Sequence, residues 1–133
     1  MAIDNAGNVF VTGNSLDSTN EDYVTIKYSN SGIPLWTNRY HGPGNGDDVP
    51  AAIALDGSGN VFVTGRSSGS PPPDYLPPPD YATIKYSSLG VPLWTNIYDG
   101  PGGADDFPFI ASGSIENFLS FGITVIFTDV LIA

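Results

Sequence analysis

The chain has 133 residues, of which 28 are glycine or proline, 41% are hydrophobic, 12% are aromatic and only 14% are charged. This composition excludes a collagen, since no Gly-X-Y period is present, and a wholly disordered chain, which would have few aromatic residues and many charges. A formal charge of −10 with only four lysines and arginines argues against nucleic-acid and anionic-membrane binding, and the lack of cysteine excludes disulfides and thiolate sites.

The chain repeats itself. Residues 2–13 recur as residues 54–65 with nine of 12 positions identical, and residues 22–48 recur as residues 80–106 with 19 of 27 identical. The first offset is 52 and the second is 58, so six extra residues lie between the two matching blocks of the second copy. They fall in a proline-rich stretch, and an insertion confined to one place in a repeat indicates a surface loop.

Four short strands are predicted in each copy, separated by turns. In the second copy they cover residues 51–55, 60–65, 81–86 and 93–98. The third strand alternates, with Ala82, Ile84 and Tyr86 on one face and the residues between them on the other. No window has a convincing 3.6-residue period with caps, so we predict no helix.

Four strands in about 50 residues is typical of a β-propeller blade. The motif D-x-x-G-N-V-[FY]-V-T-G, followed by D-Y-x-T-x-K-Y-x-x-x-G, resembles the seven-bladed β-propeller repeat family called SBBP. It stands at Asp4, 7–13 and 22–32 and again at Asp56, 59–65 and 80–90. The resemblance covers residues 2 to about 108 and implies a bacterial secreted or surface protein.

The repeat divides the chain into three parts. Blade 1 is predicted at 1–50, blade 2 at 51–108 with its loop insertion at about 70–79, and a divergent or truncated third repeat at 109–133. The tail from 118 is rich in Phe, Ile, Val and Thr, which favours one or two strands and is too short and polar for a membrane span. The N-terminus shows no signal-peptide pattern.

A closed propeller needs at least four blades, and two are recognisable. The chain is therefore predicted to be a fragment of a longer propeller or a subunit that closes a ring by self-association. An open stack is the least favourable alternative, since exposed sheet edges template aggregation. The expected partner is thus a second copy meeting the open blade edges, with any protein or glycan ligand unidentified.

The Asp-rich loops are candidates for calcium. Asp47 and Asp48, and their counterparts Asp105 and Asp106, follow Gly-Pro-Gly or similar segments, and 56–60 resembles half of a calcium loop. Asp, Asn and Gly also form turns in which the Asp side chain accepts hydrogen bonds from nearby amides. No complete calcium-loop motif is present, so we favour turns and predict no cofactor and no metal ligand.

Two further features have a functional and a structural interpretation. Trp36 and Trp94 could stack on sugars, but their recurrence favours packing between neighbouring blades. Four tyrosines accompany them, namely Tyr28, Tyr40, Tyr86 and Tyr98. The segment 71–79 carries two triple prolines, which predict an extended polyproline II conformation and favour a stiff spacer over a docking motif.

Signals for catalysis are poor. His41 is the only histidine, its counterpart in the second copy is Asp99, and no G-x-S-x-G, phosphate-binding loop or metal-spaced histidine pair is present. We therefore predict no catalytic residue and a non-enzymatic scaffold or binding module, extracellular or on the cell surface. The alternative is a glycan-binding or glycan-hydrolysing propeller that uses aromatic side chains and carboxylate pairs.

Overall fold

The computed structural model describes residues 1–69, 79–100 and 106. Within these ranges the chain forms eight strands and no helix. The first sheet contains, in order, β1 (Ala2–Ile3), β2 (Val9–Leu16), β3 (Glu21–Tyr28) and β4 (Pro34–Tyr40). The second contains β5 (Asp48–Leu55), β6 (Val61–Ser67), β7 (Asp80–Tyr86) and β8 (Pro92–Tyr98). All neighbouring strands are antiparallel, so the predicted all-β class is confirmed, with two four-stranded sheets as in an incomplete propeller.

The first strand of the second sheet is longer than the sequence indicates. The prediction begins at residue 51, whereas β5 begins at Asp48 and runs through Pro50. The pairing of β5 with β6 shifts register between Pro50 and Ala52. A proline cannot donate to the ladder, and an irregularity of this kind is where a strand accommodates it.

The hydrophobic core is the layer between the two sheets. The first sheet contributes Phe10 and Tyr23, and the second contributes the larger share. The buried members of the second sheet are Ile53, Val61, Val63, Ala82, Ile84 and Tyr86. The predicted alternation of β7 therefore holds, since its buried positions are 82, 84 and 86 and the positions between them are only half-buried.

Two predicted features lie largely outside the described residues. The proline-rich segment 71–79 contributes only Pro79, whose carbonyl accepts a hydrogen bond from the Asp106 amide at 3.1 Å. The third repeat predicted at 109–133, with its strands, falls entirely outside them.

Candidate functional site

Trp36 reaches from the edge strand β4 across to the second sheet. Its ring centroid lies 6.0 Å from that of Phe10 in an edge-to-face arrangement and 6.1 Å from that of Tyr86 in β7. The indole Nε1–H donates to the carbonyl oxygen of Ser88 at 3.3 Å. Both the apolar body and the polar tip of this tryptophan are thus used in joining the sheets.

Three other side chains of the first sheet donate across the same interface. Lys27 Nζ lies 3.2 Å from the Ser88 carbonyl oxygen, and Asn38 Nδ2 lies 2.7 Å from the Gly90 carbonyl oxygen. The hydroxyl of Tyr23 donates to the carbonyl oxygen of Arg66 at 3.1 Å. All these acceptors are main-chain carbonyls, so the interface depends on the path of the second sheet's backbone more than on its side chains.

Gly90 is the position on the second sheet that Trp36 covers. Its φ is +82°, a conformation that favours glycine. A β-carbon built there would lie 2.8 Å from the ring atoms of Trp36, closer than van der Waals contact permits. The turn residue and the tryptophan are therefore matched to each other.

Buried tyrosines surround the interface. Burial raises the pKa of Tyr23 far above its usual value, and the neighbouring Asp48 carboxylate acts in the same direction. Burial likewise raises the pKa of Tyr86 to about 12. The ring of Tyr40 lies 5.2 Å from that of Tyr23, and burial also raises its pKa. These phenols stay protonated at neutral pH and serve as packing groups, and the Tyr23 hydroxyl is also a donor.

The outer face of the second sheet carries the same side chains, and no sheet formed by the described residues covers it. Trp94 is 40% exposed and Tyr98 is 49% exposed. The ring of Tyr98 stacks on that of Tyr81 at 5.1 Å. Tyr28, the remaining one of the four tyrosines that accompany the tryptophans, is half-buried on the opposite, outer face of the first sheet.

Asp22 in β3 is a buried carboxylate with a full set of partners. Its Oδ2 accepts from the Arg39 guanidinium at 2.7 Å. Its Oδ1 accepts from Asn20 Nδ2 at 3.2 Å and contacts His41 Nδ1 at 2.9 Å. The hydrogen bond to this carboxylate raises the pKa of His41, because the negative charge stabilises the protonated imidazole.

Asp48 completes a three-residue cluster with Asp22 and His41. Its side chain is fully buried, and its Oδ2 accepts from the Gly42 amide at 2.6 Å. Burial raises the pKa of Asp48, and the hydroxyl of the adjacent Ser67 opposes that shift. Its other oxygen, Oδ1, has no hydrogen bond of good geometry within the described part of the chain. One ligand atom from each of the three residues lies within 4.8 Å of the others.

The second sheet repeats this cluster with a different charge. Asp80, Asp99 and Asp106 also bring ligand atoms within 4.8 Å of one another, and the Gly100 amide donates to Asp106 Oδ2 at 2.6 Å. Ile97 stands where Arg39 stands in the first copy, and Asp99 replaces His41. Burial raises the pKa of Asp80, and the nearby Asp99 and Asp106 carboxylates add to the shift.

These two clusters are the groups of the described residues that could hold a cation. The Asp-rich loops of the sequence include Asp48 and Asp106, but nothing in those loops indicates that they meet Asp22 and Asp80. The signal was available, because all three positions recur at the same offset of 58. Among the other Asp-rich positions, Asp47 Oδ1 accepts from the Glu21 amide at 3.1 Å. Its counterpart at 105 lies outside the described residues.

The stretch 56–60 has the geometry of a turn. Asp56 Oδ1 accepts from the amides of Ser58 and Asn60, both at 2.9 Å, and Oδ2 accepts from Asn60 Nδ2 at 2.7 Å. The hydrogen bond from the Asn60 side chain is the main reason that the pKa of Asp56 is lowered. Asp4 makes the same set of bonds in the first copy. Both carboxylate oxygens are therefore engaged in forming the turn.

Residues 36–71 match the model of the β-propeller repeat family SBBP. The matched range begins in β4 and extends through β5 and β6, so it crosses from one sheet to the next. No curated protein matches the chain. Among the described residues, no helix has the length and apolar character needed to cross a membrane.

Proposed function

We propose that this protein is a non-enzymatic scaffold or binding module that associates with itself. Its match to the β-propeller repeat family SBBP is consistent with such a role. The observation that carries this proposal is the interface between the sheets. The side chains that the repeat copies, among them Trp36, Lys27 and Asn38, are used there to hold one sheet to the next. Residues repeated for stacking are what a structural array requires.

The open faces support self-association. The outer face of the second sheet exposes Trp94 and Tyr98, which are 40% and 49% exposed, whereas Leu93 and Ile97 alternate with them and lie on the opposite face. A group of large apolar side chains on one face of a sheet is typical of an interaction surface. Because the second sheet of this chain covers the equivalent Trp36, another sheet is the kind of surface that fits Trp94.

We further propose that the protein works outside the cell or on its surface. The family resemblance supports this location. The formal charge of −10 is compatible with a well-solvated protein surface. Fractionation of the producing cells with an antibody to the chain tests it. Recovery from the cytoplasm alone would contradict the proposal.

A glycan-directed role is the second candidate, and one observation favours it. Tyr98 and Trp94 are exposed on the strand that precedes Asp99, and Asp80, Asp99 and Asp106 place three carboxylates at the end of the same sheet. Aromatic rings with nearby carboxylates are the groups that bind sugars, and carboxylate pairs hydrolyse glycosidic bonds.

Three measurements on the full chain separate these functions. Light scattering gives the mass, which we expect to be a multiple of the 14.0 kDa of one chain. A glycan array tests sugar binding, and a reducing-sugar release assay tests hydrolysis. Sugar release that is lost in Asp80→Asn and Asp106→Asn, but retained in the turn variant Asp4→Asn, would replace the scaffold with the glycan-active alternative.

A further inference from the structure

We propose that two copies of this chain stack head to tail, with the Trp94 face of one copy on the Gly32 face of the next. This inference rests on the proposed self-association and specifies its geometry. The two faces are those that the internal interface uses, since Trp94 is the counterpart of Trp36 and Gly32 is the counterpart of Gly90. The contact between copies would therefore repeat a contact that already exists within each copy.

The donating side chains are unchanged on the outer face of the second sheet. Each of the four residues that donate across the internal interface has an identical residue 58 positions later. The pairs are Trp36 and Trp94, Lys27 and Lys85, Asn38 and Asn96, and Tyr23 and Tyr81. A neighbouring sheet would thus meet the same tryptophan, ammonium, amide and phenol that the second sheet meets inside the chain.

These side chains already have the arrangement that the interface requires. The Phe62 and Trp94 rings lie 6.0 Å apart with an interplanar angle of 63°, as do the Phe10 and Trp36 rings.

The lysine positions agree as well. Lys85 Nζ lies 4.7 Å from the centroid of the Phe62 ring, and Lys27 Nζ lies 4.9 Å from that of Phe10. Because the outer face has this arrangement with no sheet of the described residues covering it, little side-chain conformational freedom is lost on binding, which favours affinity.

The accepting face of the first sheet is open where the second sheet is filled. Gly32 has a φ of +82°, the same as Gly90. A β-carbon built on Gly32 meets nothing within 4 Å, whereas one built on Gly90 meets the Trp36 ring at 2.8 Å. The place that a tryptophan occupies on the second sheet is therefore also present on the first, where no described residue fills it.

The surface around Gly32 is apolar at the matching positions. Six core residues of the second sheet face the first sheet, and the counterparts of the five in β6 and β7, on the outer face of the first sheet, are all apolar or aromatic. Val61, Val63, Ala82, Ile84 and Tyr86 correspond to Val9, Val11, Val24, Ile26 and Tyr28. The former set is buried, while the latter is half-buried or exposed. The remaining acceptors are main-chain carbonyls, which every residue supplies.

The two faces differ from each other, so the stack has a direction. A contact between unlike faces leaves one free face of each kind, and such assemblies continue until a ring closes or a filament forms. Propellers close with about four to eight blades, so a ring of these chains would contain about two to four copies.

The test uses one variant on each face and measures mass by light scattering over a range of concentrations. Trp94→Lys places a charge on the donating face, and Val11→Lys places one on the accepting face. Val11 is 37% exposed in the single chain, so its replacement is compatible with folding. Leu93→Lys is the matched control, because Leu93 and its counterpart Leu35 are 50% and 52% exposed and the internal interface leaves this position uncovered.

We expect the wild type and Leu93→Lys to associate, and Trp94→Lys and Val11→Lys each to give the mass of one chain. An equimolar mixture of the two variants should give a dimer, because one supplies an intact accepting face and the other an intact donating face. A milder variant, Asn96→Ala, removes one hydrogen bond and should weaken association about tenfold. If Trp94→Lys does not fold, Asn96→Ala still tests the donating face.

Two other results would overturn the inference in distinguishable ways. If the wild type associates but Val11→Lys associates equally well, or if the mixture forms no dimer, head-to-tail stacking is wrong while self-association stands. If the folded wild type has the mass of one chain at every concentration, the proposed self-association itself is wrong.

Discussion

The indole of Trp36 lies against the α-carbon side of Gly90, at the point where any larger residue would place its β-carbon. That point is 2.8 Å from the Trp36 ring atoms. Asn38, on the same strand as Trp36, donates from its Nδ2 to the Gly90 carbonyl oxygen at 2.7 Å. Gly90 therefore contacts β4 both at its α-carbon and through its main-chain carbonyl. A single turn residue thus decides whether two sheets can approach each other.

Gly90→Ala is expected to lower the free energy of unfolding by about 2–3 kcal/mol. Roughly 1 kcal/mol comes from the positive φ and the rest from overlap with Trp36. Gly32→Ala is the matched control, because its φ is also +82° and its β-carbon would meet nothing within 4 Å. It should cost only about 1 kcal/mol. Urea unfolding at dilutions where the chain is a monomer measures both, and equal losses would contradict the role assigned to Trp36.

The two tryptophans should contribute unequally to stability. Trp36→Ala removes the ring packed on Phe10 and Tyr86 and should cost about 2–4 kcal/mol. Trp94→Ala removes a 40% exposed ring and should cost at most about 1 kcal/mol. Denaturant unfolding of the dilute chain compares them. A loss of similar size for both would mean that Trp36 is not the residue that joins the sheets.

The chain should lose stability in alkaline solution because its tyrosines are buried. An unfolded tyrosine ionises near pH 10, while the pKa of Tyr86 is about 12 in the folded chain. The unfolded state therefore loses its proton first, and stability falls above pH 10 and levels off, for this residue, above its folded pKa. The expected slope is about 1.4 kcal/mol per pH unit for each such group.

Tyr86→Phe keeps the ring and should remove one group's share of that slope. Unfolding free energies measured between pH 9 and 12 test the prediction, with absorbance of the ionised phenol as a second readout. An unchanged slope in Tyr86→Phe would show that this phenol is not protected by burial.

His41 is expected to titrate above the usual histidine pKa, because the Asp22 carboxylate accepts a hydrogen bond from its Nδ1 when the ring is protonated. The folded pKa is raised, so the resulting stabilisation is fully present below the unfolded value of about 6.5 and is lost as pH rises through the folded pKa. Asp22→Asn should return the pKa toward its ordinary value, whereas Asp47→Asn should not. Because the chain has one histidine, its proton NMR titration is unambiguous. Equal shifts in both variants would contradict the pairing.

The strands were predictable because their signals are local. Turn glycines, β-branched runs and the alternation of Ala82, Ile84 and Tyr86 are all contained within a few residues. The start of β5 was not, because Pro50 is a strand breaker in isolation and is accommodated only through the shifted pairing with β6.

The candidate site was predictable only in part. Asp48 was identified as a member of an acidic loop, but its neighbours Asp22 and His41 lie 26 and seven positions before it in the sequence. These residues meet because β3, β4 and β5 come together in the folded chain. The spacing of residues within a single strand does not indicate that arrangement. The charge difference between the two clusters follows from two substitutions, Arg39 to Ile97 and His41 to Asp99, that matter only once the clusters exist.

By itself, the sequence determined the repeat, the all-β class and the recurrence of tryptophan at one place in each copy, since these depend on period and local propensity. Only the tertiary structure decided that Trp36 is covered while the identical Trp94 is exposed. The reason is physical: identical side chains have the same donors and the same apolar area, but burial depends on what lies opposite. The second sheet lies opposite Trp36, and in the described chain no sheet lies opposite Trp94.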